Sequence, residues 1–357
     1  MARRATTRPQ ITVIMAVHNA ATHVARTVES VLGQEFSRVQ LVVADCASTD
    51  RTPEMLRRAA ERDMRLDVLT LDTTNTWHAL DEALDAARGT YLMVMGQDGW
   101  LGLQALDRLV EAAEEDSLQL AIPSYSWDTY YSTGERSSRV TALSSERCFE
   151  RAAFRRDAHI LIDSGLFGKL TGTLMERDRI DELGLRFSLI EDEQAFFIRY
   201  VEDIDRVGSV EAAVYHAPQT ELLDDGPSSA AQYARCEREH KRLLSLIAQW
   251  GMDKDAELVH AVHCSHMSAI IACVEATCSA RSLSSIERNE RVRDIVEAES
   301  TRATIEVLHG SHRDFGLLYG PIARKNVVTC CLSAKLMQLV RSSHLPIPGV
   351  VASGSAA

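Results

Sequence analysis

The residues that could do chemistry gather in a few short stretches. Ala16-Val17-His18-Asn19, Asp45-Cys46-Ala47-Ser48-Thr49-Asp50 and Gly96-Gln97-Asp98-Gly99-Trp100 each end a hydrophobic run abruptly with polar side chains. Glu191-Asp192-Glu193 sets three carboxylates in a row. His260-Ala-Val-His263-Cys264-Ser-His266 offers ligands of the kind zinc takes. The first three stretches suit a shared ligand crevice, because open parallel sheets bind ligands outside the carboxyl ends of their strands. Each alone reads better as an ordinary turn with capping residues; three at matching strand ends shift the balance toward the crevice. From its residues alone the acidic triplet reads as a helix N-terminus, where the dipole favours negative charge. In the His–Cys run, His260 and Cys264 share one helix face and His263 and His266 another. One helix cannot aim all four at one tetrahedral centre, so partly buried helix residues are favoured there, and metal binding stays open.

The elements that must position these residues alternate between strand and helix. The sequence predicts strands over Ile11–Val17, Val39–Ala44, Leu66–Leu71, Tyr91–Met95 and Leu118–Ile122. Between them, helical spacing covers Ala21–Leu32, Trp77–Ala87 and Leu103–Ala113, and a further helix starts near Pro53 with Thr52 as its N-cap. Such alternation implies βαβ units and a mostly parallel sheet. A helix from about Asp192 to Val201 and a strand from Val207 to Tyr215 close this region. Gly226-Pro-Ser-Ser229 signals a linker, and helices are expected from there to about His344. The expected organisation is a basic arm (1–9), an α/β domain (10–218), a linker (219–229), a helical domain (230–344) and a disordered tail (345–357).

The chain has 357 residues, a length that can bury a full core. Its net charge of −12 excludes a general nucleic-acid binder, which needs a basic footprint. The charge is uneven: the first 224 residues carry −13 and the remainder +1. The basic N-terminus has no apolar run behind it, and apolar stretches reach only about eight residues against the ~20 that span a bilayer. Eight cysteines without a C-x-x-C pair fit reduced thiols. A cytoplasmic protein is expected. From Arg313 on, Arg324, Lys325, Lys335 and Arg341 face Asp314 alone, interleaved with Val327, Val328, Leu332, Leu336, Leu339 and Val340. This suits a helix packed on its own domain with a solvated basic face. It also suits peripheral contact of the C-terminal helices with the inner face of a membrane. The lack of large aromatics favours the first.

Several blocks, in order, resemble family 2 glycosyltransferases. Ile11-Thr-Val-Ile-Met-Ala-Val-His-Asn-Ala20, Ser30-Val-Leu-Gly-Gln34 and Leu41-Val-Val-Ala-Asp-Cys-Ala-Ser-Thr-Asp-Arg-Thr52 are similar to that family's opening. Ala87-Arg-Gly-Thr-Tyr91 resembles its A-x-G-E-Y segment, and Gly96-Gln-Asp-Gly-Trp-Leu101 stands in place of D-x-D-D-W-L. Phe167-Gly-Lys-Leu170 resembles W-N-K-L. Leu183-Gly-Leu-Arg-Phe187 with Glu191-Asp192 resembles the block that carries the catalytic base, and Ala213-Val-Tyr-His216 resembles the closing strand. The resemblance covers about residues 10–218 and implies a GT-A fold, Rossmann-like, followed here by a helical C-terminal region.

The resemblance implies an inverting hexosyl transfer from a nucleotide-sugar donor to a glycan or lipid-linked acceptor, in cell-surface polysaccharide synthesis. Asp192, or else Glu191, would be the general base. Val17, His18, Asn19, Asp45, Ser48, Asp50, Gln97 and Lys169 would bind the nucleotide sugar. Asp98 would hold a divalent cation, Mn²⁺ or Mg²⁺, weakly and with help from phosphate oxygens. The departures all fall on the donor side. Cys46 and Ala47 replace Asp and Gly, Gly96 and Gly99 replace two acids, and Ala79-Leu80-Asp81 lacks the family's arginine. One alternative is therefore a catalytically impaired GT-A protein that binds a glycan or a partner. A nucleotidyltransferase-like enzyme would need Gly and Lys after the first strand, and Ala16-Val-His-Asn-Ala20 supplies neither.

Overall fold

A computed structural model describes residues 8–130, 136–143, 147–220, 229–280, 282–309 and 315–342. Most of the expected arm, the middle of the expected linker, Arg313, Asp314, His344 and the expected tail lie outside these. The chain divides into two units, 1–221 and 222–357.

The first unit is built on one mixed sheet. Its strands are β1 (Ile11–Val17), β2 (Val39–Cys46), β3 (Leu66–Leu71), β4 (Tyr91–Val94), β5 (Trp100–Leu101), β6 (Leu120–Tyr130), β7 (Arg136–Thr141), β8 (Arg147–Glu150), β9 (Leu174–Glu176) and β10 (Arg206–Thr220). The order is β3-β2-β1-β4-β9-β6-β10-β5, with β7 on β6 and β8 on β10. β3, β2, β1 and β4 run parallel, as do β6 and β10, while the short β9 joins the two groups antiparallel. β1 and β2 are buried almost throughout, which is why they read as continuous apolar runs. The helices are α1 (Val24–Leu32), α2 (Thr52–Arg62), α3 (Thr76–Asp85), α4 (Ala105–Glu115), α5 (Arg151–Asp163), α6 (Arg177–Glu182) and α7 (Glu193–Val201).

One local expectation changes. Thr52 is the first helical residue of α2, not its N-cap; Arg51 holds the cap position and makes no side-chain cap bond. The Thr52 hydroxyl instead accepts the Ala20 N–H at 2.8 Å, and Asp50 accepts the Thr52 N–H at 2.9 Å. A long-range bond to the β1 loop takes the group that local rules reserve for the helix.

The second unit is helical: α8 (Ser229–Gln249), α9 (Ala256–Ser279), α10 (Ser285–Glu297), α11 (Glu299–Val307), α12 (Tyr319–Ala323) and α13 (Val327–Ser342). α9 is long and apolar enough to cross a bilayer by composition, longer than any apolar stretch expected from the sequence. It is also the core helix of this unit, where Ile270, Cys273 and Val274 pack with Val292, Ile295, Ile322 and Cys330. α10 starts with a capping box between Ser284 and Glu287.

The histidines of α9 divide as the spacing predicts. His260 lies 3.4 Å from the Cys264 sulfur, while His263 and His266 turn inward together. Both inward rings reach the Thr304 hydroxyl, at 2.9 and 2.8 Å, and His266 also meets Glu237 at 3.2 Å. His240 of α8 stacks flat on His266, with ring centroids 3.7 Å apart, and meets His263 edge-on. Burial, then the neighbouring imidazoles, push His240 down to about 3 and His263 down to about 4. Burial alone would raise the Glu237 carboxyl, but hydrogen bonds, chiefly from His266, bring it down to about 2. The folded unit thus keeps two imidazoles neutral where the unfolded chain protonates them, below its usual value near 6.5. Stability should be complete above pH ~6.5 and should fall as pH drops toward 4, by up to ~1.4 kcal/mol per unit for each ring. Urea midpoints at pH 7.5 and pH 5 test this; equal midpoints would count against it.

Candidate active site

The three polar turns after β1, β2 and β4 form one cluster. Asn19, at φ +50°, uses its side-chain oxygen to accept the Thr49 N–H at 2.9 Å and the Asp50 N–H at 3.3 Å. Its own N–H goes to the Ser48 hydroxyl at 2.9 Å, and Asp50 accepts the Ala21 N–H at 3.1 Å. The His18 N–H reaches the Gln97 side-chain oxygen at 2.9 Å, and the His18 Nδ1–H donates to the Cys46 carbonyl at 2.7 Å. So Asn19, Ser48 and Asp50 knit the first two turns together, and Gln97 ties in the third. The Thr52 hydroxyl, more than the backbone N–H groups of Thr52 and Ala21, holds the Asp50 carboxyl below its usual range. Ala47, which stands where the family has glycine, sits at φ +51°, a left-handed conformation that strains a residue with a Cβ.

At the end of β2, Asp45 is buried, and one of its oxygens meets no donor among the described residues. Val17 is its parallel partner on β1.

α1 grips the turn that carries Asp98. The Thr27 hydroxyl donates to the Gln97 carbonyl at 3.1 Å, and Arg26 donates to the Asp98 carbonyl at 2.9 Å. The Ser30 hydroxyl accepts the Leu101 N–H at 3.1 Å, and Gln34 donates to the Gly102 carbonyl at 2.9 Å. The S-x-L-x-Q pattern is therefore a clamp on this turn. The Arg26 guanidinium lies 3.8 Å over the Trp100 ring, whose plane parallels His216 at 4.7 Å. His216 in turn bonds the fully buried Asp128 at 2.8 Å, which Arg136, Ser126 and Ser138 also reach. Burial would raise the Asp128 carboxyl; bonds from Ser138, Arg136 and His216 outweigh it and hold it below its usual range.

Tyr215 fills the space beside the Asp98 turn. Its hydroxyl accepts the Gly96 N–H at 3.1 Å. A Cβ on Gly99 would lie 2.2 Å from that oxygen, and one on Gly172 would lie 2.6 Å from the ring. Two of the missing acids are thus glycines for a steric reason at Gly99 and under a close neighbour at Gly96. Burial most of all, then the charges of Asp98 and Glu193, push the Tyr215 phenol up. Tyr215 therefore feels the charges of both the Asp98 turn and Glu193, the first residue of α7.

At that N-terminus, Asp192 is the N-cap and accepts the Ala195 N–H at 2.9 Å. Glu191 before it is exposed. The preceding turn is held from α3: Asp81 accepts the Phe187 and Ser188 N–H groups at 2.7 and 3.0 Å. Lys169 is half-buried, with its ammonium 5.2 Å over the Trp127 ring, and the adjacent Gly168 packs on Gln194 of α7. Among the described residues, no three His, Cys, Asp or Glu side chains gather as a metal cage. With Tyr215 and two glycines around it, the single Asp98 carboxylate would need phosphate oxygens to complete a cation's shell.

Sequence reasoning missed Arg26, Asp128, Trp127 and the packing role of Tyr215. Arg26 is an exposed helix residue with no local mark. Asp81, noted only within the segment where Leu80 stands for the family's arginine, anchors the turn before Asp192.

Residues 12–170 match the family model of "Glycosyl transferase family 2". The succinoglycan biosynthesis protein ExoO of Rhizobium meliloti is 33% identical over 115 residues, 32% of each chain. An uncharacterized glycosyltransferase of Haemophilus influenzae is 24% identical over 198 residues, 55% of this chain and 73% of that one. The chain spans about a third of the length of the first curated relatives it matches. Among solved structures, S. aureus TarS 1-349 in complex with UDP-GlcNAc superposes with a TM-score of 0.56, at 13% identity over 92% of both chains. The Pyrobaculum calidifontis mannosyltransferase PcManGT in complex with GDP-Man and Mn²⁺ gives 0.50, at 17% identity over 94% of this chain and 88% of that one. Residues 12–170 match glycosyl transferase family 2, and the sheet they build has the GT-A fold.

Proposed function

We propose that the chain is an inverting glycosyltransferase that moves a sugar from a nucleoside-diphosphate sugar to a hydroxyl of a glycan or lipid-linked acceptor, in cell-surface polysaccharide synthesis. The observation that carries this reading is the joining of three strand-end turns into one cluster. In this reading the open oxygen of Asp45 accepts a hydrogen bond from the nucleoside. Arg26 and Lys169 meet the diphosphate's negative charge, in the place of the arginine absent near Asp81. Asp192 accepts the proton of the acceptor hydroxyl as its oxygen attacks the anomeric carbon. The bond from that carbon to the diphosphate breaks on the opposite face, which inverts the centre. No step is assigned to a metal ion.

The test is thermal stabilisation of the full chain by a panel of nucleotide sugars and free nucleoside diphosphates, with and without Mn²⁺. One nucleoside diphosphate at a hundred times its dissociation constant should add about 2.7 kcal/mol of stability. Arg26→Ala should weaken that binding, and should cost the unliganded chain only about 1 kcal/mol through its bond to the Asp98 carbonyl. No stabilisation by any donor would favour the alternative, a binding module that keeps the fold after losing acids at 46, 96 and 99.

A further inference from the structure

The last helix, α13, has two apolar faces. Cys330, Ala334 and Met337 are buried in the core of the C-terminal unit. Val328, Leu332 and Leu336 are 52–66% exposed. At 100° per residue the exposed three fall within about 80° of one another, on the side opposite the buried three. A soluble chain seldom leaves such a stripe to water without a use for it.

Charge says what covers it. Residues 315–342 contain Arg324, Lys325, Lys335 and Arg341 and no acid, in a chain whose net charge is −12. Lys335 is exposed and lies one turn from Leu332, on the flank of the stripe. A second copy paired through this face would set the same positive charges against each other. An anionic bilayer would attract them, take the leucines among its acyl chains and leave the lysine stem room to reach the headgroups. We propose that α13 lies flat on an anionic membrane surface, with Val328, Leu332 and Leu336 inserted and Arg324, Lys325 and Lys335 on the headgroups. No large aromatic anchors the stripe, so binding is reversible and falls with salt. This proposal rests on the two faces of α13 and is independent of the transfer reaction.

Cosedimentation of the full chain with vesicles tests it. Vesicles containing phosphatidylglycerol should bind on the order of tenfold to a hundredfold more tightly than phosphatidylcholine alone, with the difference shrinking at high salt. Leu332→Glu with Leu336→Glu should lose at least about tenfold in binding while the melting temperature holds, because both side chains are exposed. Equal binding to both vesicle types, no binding, or full binding by the double variant would overturn the proposal. So would light scattering that shows a dimer in the parent and a monomer in the double variant, which would assign the stripe to a second copy.

Discussion

Asp192→Asn should cut sugar transfer by about 10²–10⁴-fold while the melting temperature stays where it is. The two halves of that result separate two jobs of one side chain. As the N-cap of α7, Asp192 accepts the Ala195 N–H at 2.9 Å. Asparagine caps a helix about as well as aspartate, so the fold should not register the change. Asparagine cannot accept the acceptor's proton, so turnover should. Asp192→Ala should lose both, with about 1 kcal/mol of stability gone with the cap. Glu191→Gln should leave turnover near that of the parent. The measurement is single-turnover transfer from the donor identified by titration, paired with thermal melts. Full turnover in Asp192→Asn would reduce Asp192 to a cap.

The second large effect is on the donor side. Restoring a family acid by Gly99→Asp should destabilise the N-terminal unit by about 2–3 kcal/mol, a loss of roughly 4–10 °C in melting temperature. The cause is contact: the new Cβ would sit 2.2 Å from the Tyr215 hydroxyl and 2.7 Å from its ring. Gly172 packs close to the base of the same ring, where an added Cβ would lie 2.6 Å away. In a Tyr215→Phe background the same substitution should cost less, and the two changes should be clearly non-additive. A neutral Gly99→Asp would show that the ring moves and that the missing acid has another explanation.

Much of this was legible because it is local. β1 runs over Ile11–Val17 as its apolar residues predict, and three polar strand ends do meet. The sequence predicts a strand only over Leu118–Ile122, because the outer half of β6 carries Ser124, Ser126 and Asp128. Those residues are buried, and the polarity that hid the strand is satisfied by Arg136, Ser138 and His216 from neighbouring strands. Arg26, Asp81 and His240 were invisible for a related reason. Their partners lie at Asp98, Phe187 and His266, far along the chain or on another helix, and no spacing rule reaches that distance. Glu191-Asp192-Glu193 could be read as a helix start from the residues alone, and Asp192 does cap one.

The Thr304 hydroxyl has one hydrogen and stands between two imidazole nitrogens. His266 turns its Nε2 toward the Glu237 carboxylate, so that nitrogen carries hydrogen. The threonine hydrogen can point at the bare Nδ1 of only one ring, while its oxygen accepts the Nδ1–H of the other. The two rings therefore differ at Nδ1. Nitrogen chemical shifts should give His263 and His266 unlike signatures, and Thr304→Val should leave both rings facing a methyl group.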